Sequence, residues 1–235
     1  MGRFAWLHRS PRLNKACNAV HSYIEPIVAS AIERNRVRSS ETKGVGSGEI
    51  GGDRYTFLDE LAKEGVKPKE MRDQVLNVLV AARDTTACLM SSVIFEISHR
   101  QDVQVKVRKE VDALEGRPPT YEEIKEMKYL NNVIKETLRL HPPVPINVRV
   151  ANKDTYLPLG GGPEGTSPVF IEKGQHVAYQ VYSMHRRPDI WGPDANDFMP
   201  ERWLTARPGY EFLPFNGGPR ICPGEFLTEA DTSQS

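Results

Sequence analysis

The 235-residue sequence is poor in cysteine and carries no charge of one sign in excess. Its three cysteines, Cys17, Cys88 and Cys222, lie far apart and form no CxxC pair, which argues against a cysteine-built zinc site. An odd number without a spacing pattern suits a reducing compartment. Lys plus Arg equal Asp plus Glu at 31 each, and the basic residues are scattered. That leaves no electrostatic ground for a nucleic-acid partner or an anionic membrane surface. Uninterrupted apolar runs are short, as at Val78–Ala82, well under the roughly 20 residues of a membrane span. No signal peptide is visible, so the expectation is a soluble or peripheral chain. There is no internal repeat. A hydrophobic share of 39% still suffices for the core of one large domain or two small ones.

What is present is mostly helical patterning. Ala16, Val20, Tyr23, Ile24, Ile27, Val28, Ala31 and Ile32 recur at helical spacing and predict a helix over 14–36. Residues 39–53, rich in Ser and Gly, read as a flexible loop. A short helix is expected over 55–64, then a long one over 69–100, enough to cross a domain at about 45 Å. Another is expected over 102–115. Thr120-Tyr-Glu-Glu123 has the form of a capping box and opens one or two helices that stop at His141-Pro142-Pro143. From Val144 the character changes. Segments 146–151, 168–171 and 176–180 are strand-like, with Gly160–Gly165 between them, and the remainder reads as Pro- and Gly-rich coil.

Chemistry concentrates in four strings. Phe215-Asn-Gly-Gly-Pro-Arg-Ile-Cys222-Pro-Gly224 places a cysteine after a rigid Gly/Pro loop and before the expected helix at 228–230. A reactive thiolate needs positive potential nearby; Arg220 supplies a cation. The glycines let the backbone lie close to a flat ligand. An isolated buried cysteine would read as inert, but the whole string demands more. Glu136 and Arg139 stand i, i+3 on one helix and can pair, a pattern that by itself often marks a solvated ion pair. Phe198-Met-Pro-Glu-Arg202-Trp203 adds a second arginine. Asp84 and Thr85 interrupt the apolar long helix. They form either a polar stripe facing solvent or an acid–alcohol pair at a kink, since Thr can bond back to the preceding turn.

In content, order and spacing these strings resemble cytochrome P450, over about Phe4 to Ala230. The FxxGxRxCxG pattern is met at Phe215, Gly218, Arg220, Cys222 and Gly224, and ExxR at Glu136 and Arg139. Three segments, LAKEGVKPKEMRDQVLNVLVAARDTTA, LPLGGGPEGTSPVFIEKG and YSMHRRPDIWGPDANDFMPERW, look like fungal alkane and fatty-acid hydroxylases. The resemblance implies a mainly α fold with small β segments, a partial P450 fold with long central helix, ExxR helix, meander and Cys heme loop. The chain would be the C-terminal portion of one heme-thiolate domain: 1–68 helices and flexible loop, 69–143 long central helix to ExxR helix, 144–181 small β region, 182–235 meander and Cys loop.

The resemblance also implies roles. Cys222 ligates the iron of heme b, and Phe215, Gly218 and Gly224 shape its loop. Arg149 and Arg220 pair with the heme propionates. Glu136, Arg139 and Arg202 form a buried fold-holding triad. Asp84 and Thr85 deliver protons through water during oxygen activation, although the usual family string has Gly where this chain has Ala82. Val144, Ile146 and Val148 face substrate, or are ordinary strand core. Electrons come from NADPH through a reductase partner, and the other reactants are O2 and a small apolar substrate, an n-alkane or fatty acid oxidised at or near its end. Full-length relatives belong to the endoplasmic reticulum membrane, whereas this chain shows no anchor and is expected to be cytosolic or peripheral. Against the family pattern the chain starts late, is two residues short after Cys222 and stops soon after. The expectation is a piece truncated at both ends with poor heme affinity, the alternative to catalysis being a non-catalytic remnant with weak or no heme binding. Peroxide-driven isomerisation or dehydration ranks last, because Asp84-Thr85 is retained.

Overall fold

A computed structural model describes residues 10–41 and 56–224. They form eight α-helical segments and four short strands: α1 (Pro11–Glu41), α2 (Phe57–Lys63), α3 (Pro68–Ser98), α4 (Gln101–Asp112), α5 (Tyr121–Glu126), α6 (Lys128–Leu140), β1 (Ile146–Val150), β2 (Thr155–Gly161), β3 (Ser167–Ile171), β4 (His176–Gln180), α7 (Val181–Met184) and α8 (Pro188–Trp191). Single 3-10 turns cover Pro200–Leu204 and Gly218–Arg220. The helix-dominated expectation is met. By contacts the chain divides into two compact units, Met1–Arg83 and Asp84–Ser235, with the division falling inside α3.

In the first unit, Ile24 and Val28 of α1 bury against Met71 of α3, with Leu58 and Leu61 of α2 alongside. The helical spacing of these residues supplies the packing stripe. α1 runs past the expected end at 36 and takes in residues 39–41, which the sequence assigns to a loop; the rest of that loop, 42–53, lies outside the described residues. The short helix α2 is fixed at its start. Thr56 caps it, donating its hydroxyl to Asp59 Oδ2 at 2.6 Å and accepting from the Asp59 N–H at 3.3 Å. Asp59 in turn accepts from the Thr56 N–H at 2.9 Å and from Arg34 Nη2 at 3.0 Å. Burial raises the Asp59 pKa, but the hydrogen bonds from Thr56 and Arg34 outweigh it and hold the carboxyl below its ordinary value. Replacing Thr56 by Ala is expected to cost this unit about 1–2 kcal/mol, read as a lowered urea midpoint.

In the second unit, Val103, Val133, Leu140 and Phe198 form the core, with Val93, Ile97, Val107 and Tyr129 packed on it. The Thr120 capping box forms as expected and opens α5, then α6. β1 pairs antiparallel with β4, Asn147 opposite Tyr179 and Arg149 opposite Val177. β2 pairs antiparallel with β3 around the glycine turn. β2 is absent from the sequence reading because Pro158, Gly160 and Gly161 suppress its strand signal. Gly161 is required by close approach: a Cβ there would stand 2.7 Å from the Pro168 carbonyl oxygen.

One expectation needs correcting. α3 is long and apolar enough to cross a membrane by length and composition alone. Counting only uninterrupted runs stopped at Arg83-Asp84, whereas a helix sums hydropathy across them. The same test is passed by core helices of soluble proteins. α3 is helical without interruption from Pro68 to Ser98, so no break in helical assignment marks the kink expected at Asp84-Thr85.

Candidate functional site

The site is built on α6. Its Glu136 and Arg139, one turn apart, both have zero exposure, because the last five residues of α6, Glu136 to Leu140, are buried all round. Glu136 accepts from Arg139 Nε and Nη2 at 2.9 and 2.7 Å, from the Met199 N–H at 3.0 Å, from Trp203 Nε1 at 3.0 Å and from Arg202 Nε at 3.4 Å. Arg139 spends its remaining donors on three carbonyl oxygens, those of His185 at 2.8 Å, Ala195 at 2.6 Å and Asp197 at 3.1 Å. Arg202 also donates to the Trp191 carbonyl at 2.7 Å and to Asp194 Oδ1 at 3.1 Å. Glu136, Arg139 and Arg202 therefore do come together. The five-donor fork of arginine suits it to pin several carbonyls at once, and here it staples α6 to residues 185–203.

His185 stands at the centre of a second link. The Leu213 N–H donates to its Nε2 at 2.9 Å, so Nε2 holds the lone pair and the ring proton sits on Nδ1, which donates to the Arg139 carbonyl at 3.1 Å. One imidazole thus ties the end of α6 to the segment that leads into the cysteine loop. Burial pushes its pKa down to about 4, and the positive charges of Arg139 and Arg186 act the same way against its backbone hydrogen bonds. Phe212 packs on it at 5.2 Å between ring centres, and Trp203 on Phe212 at 4.7 Å. Sequence reasoning missed His185, Asp194 and the indole of Trp203 as network members. A lone His in a turn carries no signal until its neighbours are known.

The cysteine loop closes on itself. The Cys222 N–H donates to the Phe215 carbonyl at 2.9 Å, and the Ile221 N–H to that of Gly218 at 3.0 Å. Gly218 has φ +72, in the left-handed region, with nothing near the place its Cβ would occupy. Cys222 is half-buried with a free thiol, and a Cβ on Gly224 would lie 3.6 Å from its Sγ. The helix expected at 228–230 lies outside the described residues. Gly218, Gly224 and Arg220 are exposed and Phe215 is half-buried.

On β1 the pleat sorts the candidates. Asn147 and Arg149 share the face that meets Tyr179 of β4, with the Arg149 guanidinium 5.5 Å from the Tyr179 ring centre. Ile146 and Val148 alternate to the other face, and with Val144 they are 40–51% exposed rather than strand core. Asp84 is exposed and Thr85 half-buried on α3.

These features fit a flat prosthetic group carrying its own metal. Among the described residues no three His, Cys, Asp or Glu side chains gather to hold a metal; the free, half-buried thiol of Cys222 would be suited to ligate a metal that such a group brings with it. Arg149 donates to the Val148 carbonyl at 3.1 Å and lies over the Tyr179 ring.

A cysteine-loop protein with a buried Glu/Arg staple, tied through His185 to the segment before the loop, is the class that the fold and site define. Comparison with known families matches residues 3–233 to Cytochrome P450, and the chain belongs to that family. It is similar to Cytochrome P450 52E1 of Candida apicola, 44% identical over 96% of this chain and 44% of that protein. It is also similar to Cytochrome P450 monooxygenase himC of Aspergillus japonicus, 47% identical over 88% of this chain and 37% of that protein. Cytochrome P450 52-E3 of Starmerella bombicola is 43% identical over 98% of this chain and 44% of its own length. The chain thus spans less than half the length of these relatives. The family implies a heme iron.

Proposed function

We propose that this chain is the heme-ligating portion of a heme-thiolate monooxygenase that inserts one oxygen atom of O2 into a C–H bond of a long apolar chain. The substrate is an n-alkane or fatty acid, hydroxylated at or near its end, and the electrons come from NADPH through a reductase at the endoplasmic reticulum membrane. The observation that carries this reading is the self-closed loop, Cys222 N–H on the Phe215 carbonyl, that presents a free, half-buried thiol. Cys222 would hold the iron as thiolate, with Arg149 and Arg220 on the propionates and Phe215, Gly218 and Gly224 forming the surface beneath. When bound, heme supplies oxygen activation, which a thiolate ligand favours by donating electron density.

The chain's own residues do the rest. Asp84 and Thr85 pass protons from water toward the oxygen site, and Val144, Ile146 and Val148 bear on the substrate chain. Glu136, Arg139 and Arg202 hold the support rigid. The whole chain, 1–235, is read as one continuous portion of a single heme domain, from its first helices through the ExxR helix and β region to the Cys loop.

A second reading, a remnant with weak or no heme binding, is favoured by one observation: Val78, Leu79, Val80 and Met90 of α3 are each at least half exposed. Uncovered apolar area costs about 25 cal/mol per Å2 in water. Hemin loading, reduction and addition of carbon monoxide separate the two. The first reading expects a strongly red-shifted Soret band that Cys222→Ser abolishes while hemin still binds. Absence of that band in the parent chain would leave the remnant.

A further inference from the structure

We infer that Tyr179 is a positioning residue for the cysteine loop, its hydroxyl fixing Asn216 in the left-handed turn that aims the Phe215 carbonyl at the Cys222 N–H. Asn216 has φ +69, a region that non-glycine residues enter at a cost and that Asn enters most readily. The conformation is over-determined from outside the loop. Tyr179 donates its hydroxyl to Asn216 Oδ1 at 2.6 Å, and Asn216 Nδ2 donates toward Asn147 Oδ1 at 3.4 Å. Asn147 and Tyr179 are direct cross-strand partners on β1 and β4. All three residues are half-buried, so water competes poorly for these bonds.

The consequence follows from the chain geometry. The Phe215 carbonyl belongs to the peptide unit that rotates about the φ of Asn216. Fixing Asn216 against β4 therefore fixes the direction of the oxygen that accepts from the Cys222 N–H at 2.9 Å, and with it the closure that presents the thiol. Tyr179 also bears the Arg149 guanidinium on its ring, so one side chain sets the cysteine loop and the propionate arginine in common register. The inference for the loop stands on the heme-free chain. Only its consequence for iron ligation rests on the function proposed above.

The test is a cycle of Tyr179→Phe, Asn216→Gly and the double variant in the full 235-residue chain. Phe keeps the ring beneath Arg149 and removes only the hydroxyl. Gly adopts the left-handed turn without help. In the heme-free chain, Tyr179→Phe is expected to speed amide hydrogen exchange across residues 215–222 about five- to tenfold, as one lost hydrogen bond does. In the Asn216→Gly background the same change is expected to add nothing. Unchanged exchange in Tyr179→Phe would overturn the inference, as would an equal increment in the Asn216→Gly background, which would place its effect elsewhere. After hemin loading and reduction, Tyr179→Phe is expected to lower the thiolate share of the carbon monoxide spectrum, and less so when Asn216 is Gly. A parent chain without a thiolate spectrum would refute the heme reading, while the exchange result would still decide the role of Tyr179.

Discussion

Replacing Arg139 by Ala is expected to destabilise the second unit by about 3–5 kcal/mol, a large fraction of the stability of an ordinary domain. The magnitude comes from what remains after the guanidinium is gone. Glu136 stays buried with zero exposure, and three backbone carbonyls, at His185, Ala195 and Asp197, lose their donor together. An intact buried pair contributes little over a well-packed apolar substitute, but a broken one strands a charge. Arg139→Lys is expected to recover little, since three donors on a flexible stem cannot cover a bidentate carboxylate and three carbonyls. Urea unfolding followed by circular dichroism gives the loss directly. A change under about 1 kcal/mol would mean that water reaches the stranded carboxylate and replaces the lost donors.

Acidification is expected to remove a further roughly 2–3 kcal/mol by about pH 4.5 through His185 alone. Its ordinary pKa of 6.5 is pushed down to about 4 in the folded chain, chiefly by burial. Between these values the unfolded chain binds the proton and the folded chain does not. Stability is therefore full above 6.5 and falls as pH drops toward 4. The structural cause is specific: a second ring proton on Nε2 would face the Leu213 N–H, donor against donor. His185→Gln does not titrate, so it is expected to be less stable at neutral pH but to show a flatter slope between about pH 6.5 and 4. Asp194, held low by Arg202, loses its contribution only below the ordinary carboxylate range. Equal slopes for parent and variant in urea titrations would show that His185 is not the acid-sensitive group.

How much of this was legible in the sequence depends on the range of the signal. The capping box at Thr120 and the pairing of Glu136 with Arg139 are local, since helical periodicity brings i and i+3 together wherever the helix forms. β2 was hidden because its own Pro and Gly speak against a strand, and only pairing with β3 overrides them. The membrane-length character of α3 was hidden by two charges that a run-based reading treats as a stop.

The identity of the cysteine loop, the Glu/Arg pair and the family itself were determined by the sequence, because they are encoded as strings of fixed spacing. The tertiary structure alone decided what holds them. Leu213 reaches His185 across 28 residues and Tyr179 reaches Asn216 across 37. No spacing rule encodes such pairs, because the chain between them can take many paths, and only the packing of α6 on residues 200–204 and the pairing of β1 with β4 select the path that closes the bond.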